Sequence, residues 1–161
     1  MSIKRGDRLP DATFRVAGPD GVTPMTTSEV FKGKKVALFA VPGAFTPTCH
    51  VKHLPSFLNH VGDFKKKGVD TVVCVAVNDP FVLGAWAEAS GAKGKVLFLS
   101  DGNAEFTKKI GLDFDGSAVG LGTRSKRYSM LVEDGVIKIL NIEESPGVCD
   151  ITGGDKLLAA L

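Results

Sequence analysis

The sequence predicts an α/β protein in which a mixed central sheet carries helices on both faces and begins with an N-terminal β-hairpin. Three observations predict it. Two continuous apolar runs of strand length, 35–41 and 69–77, are joined through a stretch of helical periodicity, which makes a βαβ unit with parallel strands. Turn signals at Gly18-Pro19-Asp20-Gly21 and Asp134-Gly135 each separate two short strand-like segments, so the chain carries a hairpin towards each end. A length of 161 residues, 43% of them apolar and 24% charged, suits one domain over 1–161 with a sizeable core.

Taken in order, Thr13-Phe14-Arg15-Val16 and Val22-Thr23 form the first hairpin, and Ser28-Glu29-Val30-Phe31 makes one helical turn that Gly33 ends. Lys35 to Val41 is β-branched and aromatic, as a buried central strand requires. Pro42, Gly43 and Pro47 then exclude regular structure. From Cys49 onward Val51, Leu54, Leu58, Val61 and Phe64 recur at helical spacing, so a helix is expected from about 48 to 67, kinked near residue 51 by Pro55. Lys65-Lys66-Lys67-Gly68 ends it, with cations at the negative end of the dipole and a left-handed cap. Val69 to Val77 is the second core strand, Asp79 and Pro80 cap and open a helix through Ala89, and Lys95 to Leu99 is a third strand. Asp101 to Ile110 suggests a short helix, 111–126 is a glycine-rich connection, and 128–132 with 136–140 makes a hairpin across a type I′ turn. Asp155 to Leu161 closes the chain as a helix. This order is that of a thioredoxin-like fold.

Composition excludes several classes. A formal charge of +2, with basic and acidic residues interspersed, argues against nucleic-acid or acidic-membrane partners. No apolar run approaches a membrane span, and the Lys4-Arg5-Asp7 start lacks the apolar segment of a signal peptide, so the expected compartment is the cytoplasm, or an organelle if a transit peptide was removed. Three widely spaced cysteines, Cys49, Cys74 and Cys149, fit catalysis or redox sensing in a reducing compartment better than a disulfide scaffold.

Cys49 stands out because the strand and rigid turn deliver it to the first turn of a helix, where unpaired N–H groups and the macrodipole favour an anionic sulfur. Taken alone, the position also suits a small buried hydrophobe. The flanking residues decide between these: Pro-Gly-Ala-Phe-Thr-Pro-Thr-Cys at 42–49 closely resembles the peroxidatic loop of the peroxiredoxins, specifically the Prx5-like group, also called type II or atypical 2-Cys. Lys32-Gly33-Lys34-Lys35, Val77-Asn78-Asp79-Pro80-Phe81, Gly120-Leu121-Gly122-Thr123-Arg124-Ser125 and Arg127-Tyr128-Ser129 resemble that family in the same order, over nearly the whole chain.

The resemblance implies a thioredoxin-like fold and a thiol-dependent peroxidase acting on hydrogen peroxide and alkyl hydroperoxides, with no metal, haem or flavin cofactor. Cys49 would be the nucleophile, Arg127 the clamp on thiolate and developing oxyanion, and Pro42 the shield from water. Thr46, three residues before the sulfur in one tight turn, can hydrogen-bond peroxide oxygen. The resulting sulfenic acid needs reduction. Cys149, after Ser145-Pro146-Gly147-Val148 in an expected exposed loop, stands slightly ahead of Cys74, whose 25-residue spacing from Cys49 resembles plant type II members but which lies inside an apolar strand. Glutathione, glutaredoxin or thioredoxin acting directly is the third route. The family often forms homodimers beside this loop, and Phe45 and Phe81 are the contacts expected here.

Other readings are open to test. His50, His53 and His60 offer a metal site with Cys49, or a base for acyl transfer, but surface or interface positions are expected for all three. Gly120-Leu121-Gly122 lacks the third glycine of a dinucleotide loop. From a different class, a redox sensor or interaction module would oxidise Cys49 reversibly without turnover.

Overall fold

The computed structural model describes residues 2–161. Its elements begin with the expected hairpin, β1 (Thr13–Gly18) and β2 (Gly21–Thr26), and a helical turn α1 (Thr27–Phe31). Thr26 and Glu29 cap that turn reciprocally, each side chain accepting from the other's backbone N–H at 3.2 Å. After β3 (Lys35–Val41) the expected long helix is instead three pieces: a π-helical turn over Cys49–His53, then α2 (Leu54–Leu58) and α3 (Val61–Lys66). Pro55 explains the first break. It brings no N–H, and its ring would press on the Val51 carbonyl, so the chain widens and Leu54 N donates to Cys49 O, one residue further back than in an α-helix.

β4 (Thr71–Ala76), α4 (Pro80–Ala89) and β5 (Leu97–Ser100) follow, with Asp79 capping α4 by accepting from Val82 N at 2.8 Å. Beyond α5 (Glu105–Lys109), the glycine-rich connection holds a small hairpin of its own, β6 (Asp113–Asp115) with β7 (Thr123–Ser125). β8 (Tyr128–Glu133) and β9 (Val136–Ile142) pair across Asp134 and Gly135, whose φ values of 48° and 79° make the expected type I′ turn. The last helix is α6 (Gly154–Ala159).

The main sheet has the order β2-β1-β5-β4-β3-β8-β9, with β3, β4 and β5 parallel and the remaining pairs antiparallel. Both faces are covered, because successive side chains of a strand point to opposite sides. Ala37, Phe39 and Val41 join Phe57, Phe64, Leu83, Trp86 and Leu157 on one face, while Val36, Leu38 and Ala40 join Val30, Phe31, Phe106 and Ile110 on the other. This is the predicted thioredoxin-like arrangement. Cys49 and Cys74 lie in the first of these cores.

Candidate active site

The site is built where β3 stops. Pro42 and Gly43 are buried at the strand end, and the loop beyond them is held from three sides. Arg124 Nη1 donates to Pro42 O at 3.1 Å, Asn78 Oδ1 accepts from Ala44 N at 2.9 Å, and the Thr46 hydroxyl donates to Gly43 O at 2.7 Å. His50 N donates to Thr46 O at 2.8 Å, so the first helical hydrogen bond already encloses Cys49. Phe45 is left at φ 61°, a left-handed conformation that a phenylalanine adopts only when its surroundings impose it. The Cys49 residue is wholly buried at the bottom of this loop.

Arg127 arrives from the start of β8 and is itself buried, with 1% of its surface exposed. Its Nη2 donates to Cys49 Sγ at 2.9 Å and to Pro146 O at 3.0 Å, its Nε to Pro146 O at 3.3 Å, and its Nη1 to His53 Nδ1 at 2.9 Å. Among the described residues no carboxylate lies within ion-pair distance of this guanidinium. The contact sets a buried cation directly against the sulfur, while the Glu143 carboxylate acts on that cation only from beyond ion-pair distance.

His53 corrects the expectation of a surface histidine, since it is fully buried between Arg127 and the chain before α6. Its Nε2 lies 2.9 Å from Thr152 O, which can only accept, so Nε2 carries the hydrogen and Nδ1 is left to accept from Arg127. Both ring nitrogens are thus engaged, which leaves no lone pair for the metal reading. Burial, reinforced by the neighbouring Arg127 charge and opposed by the Thr152 bond, pushes the His53 pKa down to about 3. The neutral ring fixes the guanidinium plane.

A pH dependence of stability follows. An unfolded chain protonates this histidine below 6.5, the folded one only near about 3, so acid in that window drives the proton onto the unfolded state. Between pH 7 and 4.5 the His53 contribution lowers unfolding free energy by about 3 kcal/mol. Urea unfolding at both pH values should show that component in the wild type and lose it in His53→Gln; equal losses in the two proteins would refute it.

The other histidines differ. His50 Nδ1 accepts from Trp86 Nε1 at 2.9 Å and its ring lies over Phe45, while His60 pairs with Asp63 at 3.0 Å near the surface. Cys74, at the centre of β4, is fully buried, and burial together with the Cys49 charge raises its thiol pKa well above the ordinary value. Cys149 is half-buried rather than exposed, and burial raises its pKa too. Its loop touches the site: Thr48 Oγ1 donates to Gly147 O at 2.9 Å, beside the Pro146 carbonyl that holds Arg127.

A thioredoxin-like sheet that delivers one cysteine to a helix start and one buried guanidinium to its sulfur defines a redox-active thiol protein. The Redoxin family model matches residues 4–158. The chain is 47% identical to Peroxiredoxin-2E, chloroplastic, of Arabidopsis thaliana, over 98% of this chain and 69% of that one. It is 45% identical to the hybrid peroxiredoxin hyPrx5 of Haemophilus influenzae, over 91% of this chain and 61% of that protein. The crystal structure of reduced Prx3 in complex with H2O2 from Vibrio vulnificus superposes with a TM-score of 0.93 at 44% identity, covering 98% of both chains. The chain belongs to the Redoxin family as a peroxiredoxin of the Prx5-like type II group, and it is a thiol-dependent peroxidase.

Arg124 and Asn78 fall in the quoted motifs, but no local signal announced that they hold the loop. His53 carried one, its four-residue spacing from Cys49 on a common face, which also fitted a metal ligand.

Proposed function

We propose that Cys49 is the attacking sulfur in the reduction of hydrogen peroxide and alkyl hydroperoxides. The observation that carries this reading is the 2.9 Å contact from Arg127 Nη2 to its Sγ. The thiolate displaces the far oxygen of the peroxide: an S–O bond forms, the O–O bond breaks, and the departing oxygen leaves as water or alcohol after taking a proton. Arg127 steadies both the sulfur anion and the charge growing on that oxygen. The Thr46 oxygen, whose hydrogen is given to Gly43 O, keeps lone pairs with which to accept from the peroxide O–H. Buried Pro42 keeps water from the sulfur.

A thiol must then remove the sulfenic oxygen as water, leaving a disulfide. Against the order expected from the sequence, in which Cys149 stood slightly ahead, two features support Cys74: it shares the core of Cys49, and its 25-residue spacing resembles plant type II proteins, among which are relatives 38–48% identical to this chain. The Cys49 turn would have to unwind to reach it, and a π-helical turn is a weak point at which to do so. Cys149 is the second reading, supported by its partial exposure and by the Thr48–Gly147 contact of its loop. Glutathione, glutaredoxin or thioredoxin closes the cycle in the cytoplasm or an organelle. Phe45 and Phe81, 50% and 70% exposed, support a homodimer formed beside the loop.

Peptide mapping without reductant, after one equivalent of peroxide, tests the recycling step. A Cys49–Cys74 peptide is expected; a Cys49–Cys149 peptide transfers the role, and a persistent sulfenic acid with neither leaves it to an external thiol. Turnover that stops after one equivalent with all three reductants would favour the sensor.

A further inference from the structure

Arg127 is held largely by groups that do not hold themselves. Two of its N–H groups end on the Pro146 carbonyl, and a third ends on His53, whose tautomer depends on the Thr152 carbonyl. Both carbonyls belong to one strap of irregular chain between β9 and α6. Pro146 and Gly147 on that strap are exposed, and without a tether Pro146 O would not keep hydrogen-bond distance from the buried guanidinium, nor Thr152 O from the His53 ring.

The tether is Glu143. It follows the end of β9, where its N–H donates to Arg127 O at 3.0 Å, so its backbone is registered against the arginine it serves. Its side chain turns back beneath the strap, 8% exposed as a residue. One oxygen, Oε2, accepts from Asp150 N at 2.7 Å, Thr152 N at 2.9 Å and Thr152 Oγ1 at 2.7 Å. Burial opposes ionisation of this carboxyl, but the Thr152 and Asp150 donors outweigh it and hold its pKa below the ordinary value. Three donors on one charged oxygen make a strong fastening. It closes the strap into a loop whose outer side presents Pro146 O to Arg127 and whose end presents Thr152 O to His53.

We propose that Glu143 is a positioning residue for peroxide reduction: by stapling the 144–152 strap it aims the Arg127 guanidinium at the Cys49 sulfur. Its carboxylate makes no contact with the sulfur and takes no part in the chemistry. The inference rests on the role given to Arg127 above, and it adds a second consequence. The staple grips the residues on either side of Ile151, just beyond Cys149, so it also limits how far that thiol travels.

The test compares wild type with Glu143→Ala, Glu143→Asp and Glu143→Gln in single-turnover reaction of the reduced protein with hydrogen peroxide, well below each unfolding midpoint. Ala removes the acceptor and Asp withdraws the carboxylate by one methylene. Both should slow the peroxide reaction about 10- to 100-fold, as displacement of a catalytic group by about an ångström does. Gln, which presents an oxygen at the same reach, should recover to within about threefold of wild type, since most of the geometry survives. Alkylation of Cys49 by iodoacetamide involves no departing peroxide oxygen and should fall by much less. Peroxide rates within twofold of wild type in both Ala and Asp variants would overturn the inference, and so would equal losses of peroxide and iodoacetamide reactivity. Arg127→Gln is measured alongside. If it too keeps the wild-type rate, the reading of the site fails; if it is slow while the Glu143 variants are not, only the staple fails.

Discussion

Cys49→Ser should abolish peroxide turnover, lowering kcat/KM by about four powers of ten or more, the scale of loss when a nucleophile is removed from an intact constellation. Serine is close to cysteine in shape, and the fold around residue 49 is set by the Gly43, Thr46 and Asn78 contacts, which do not involve the sulfur. What disappears is an atom able to be anionic and nucleophilic at neutral pH. The buried guanidinium keeps Pro146 O and the His53 ring as acceptors, so the variant should remain folded. Peroxide consumption with a saturating thiol reductant is the measurement, with circular dichroism as the control. A folded Cys49→Ser protein that still turned over peroxide would remove the sulfur from the mechanism.

The second large effect is at Arg127. Arg127→Gln should cost about 100- to 1,000-fold in kcat/KM for peroxide, the range seen when one donor to a developing oxyanion is removed. The reason is geometric as well as electrostatic. One planar group meets Cys49 Sγ, Pro146 O and His53 Nδ1 together, and a fork of fixed N–H directions is what makes that simultaneous contact possible. Arg127→Lys separates the two contributions. It keeps the charge and loses the fork, so it should fall between wild type and Gln. A Lys variant as fast as wild type would mean that charge alone matters and that the His53 and Glu143 contacts are incidental to rate.

Both effects have different visibility in the chain. The place of the cysteine at a helix start was legible because its surroundings are local, an apolar strand and a proline-glycine turn within fifteen residues, but its reactive role came from the resemblance of residues 42–49 to the peroxidatic loop. The hairpins, the Asp79 cap and the glycine at 135 were legible for the same reason, each being a short-range steric or hydrogen-bonding preference. The helix after Cys49 was legible as helix but not as three pieces, because apolar spacing survives a π-helical turn almost unchanged while the hydrogen bonds shift by one residue. The burial of His53 has no local signal, because a histidine's state depends on what buries it, and Arg127 and Thr152 lie 74 and 99 residues away.

Gly154 makes the same point from the backbone. A Cβ there would overlap the Ser56 carbonyl, so only glycine allows the start of α6 to press against the middle of α2 and bring Thr152 up to His53. In the sequence it is one half of an unremarkable Gly-Gly pair before a helix.

Left to itself, the order of residues determined the strands, the turns, the sheet's mixed character and the delivery of one sulfur to a helix start, since periodicity and turn chemistry act over a few neighbours. The cation that faces this sulfur, Arg127, was named only by the family resemblance of Arg127-Tyr128-Ser129, and only the folded chain decided which histidine stays neutral to hold it and which carboxylate fastens the strap that orients them. Those choices depend on burial and on partners brought from distant parts of the chain, and a hydrogen-bond partner is selected by position in space.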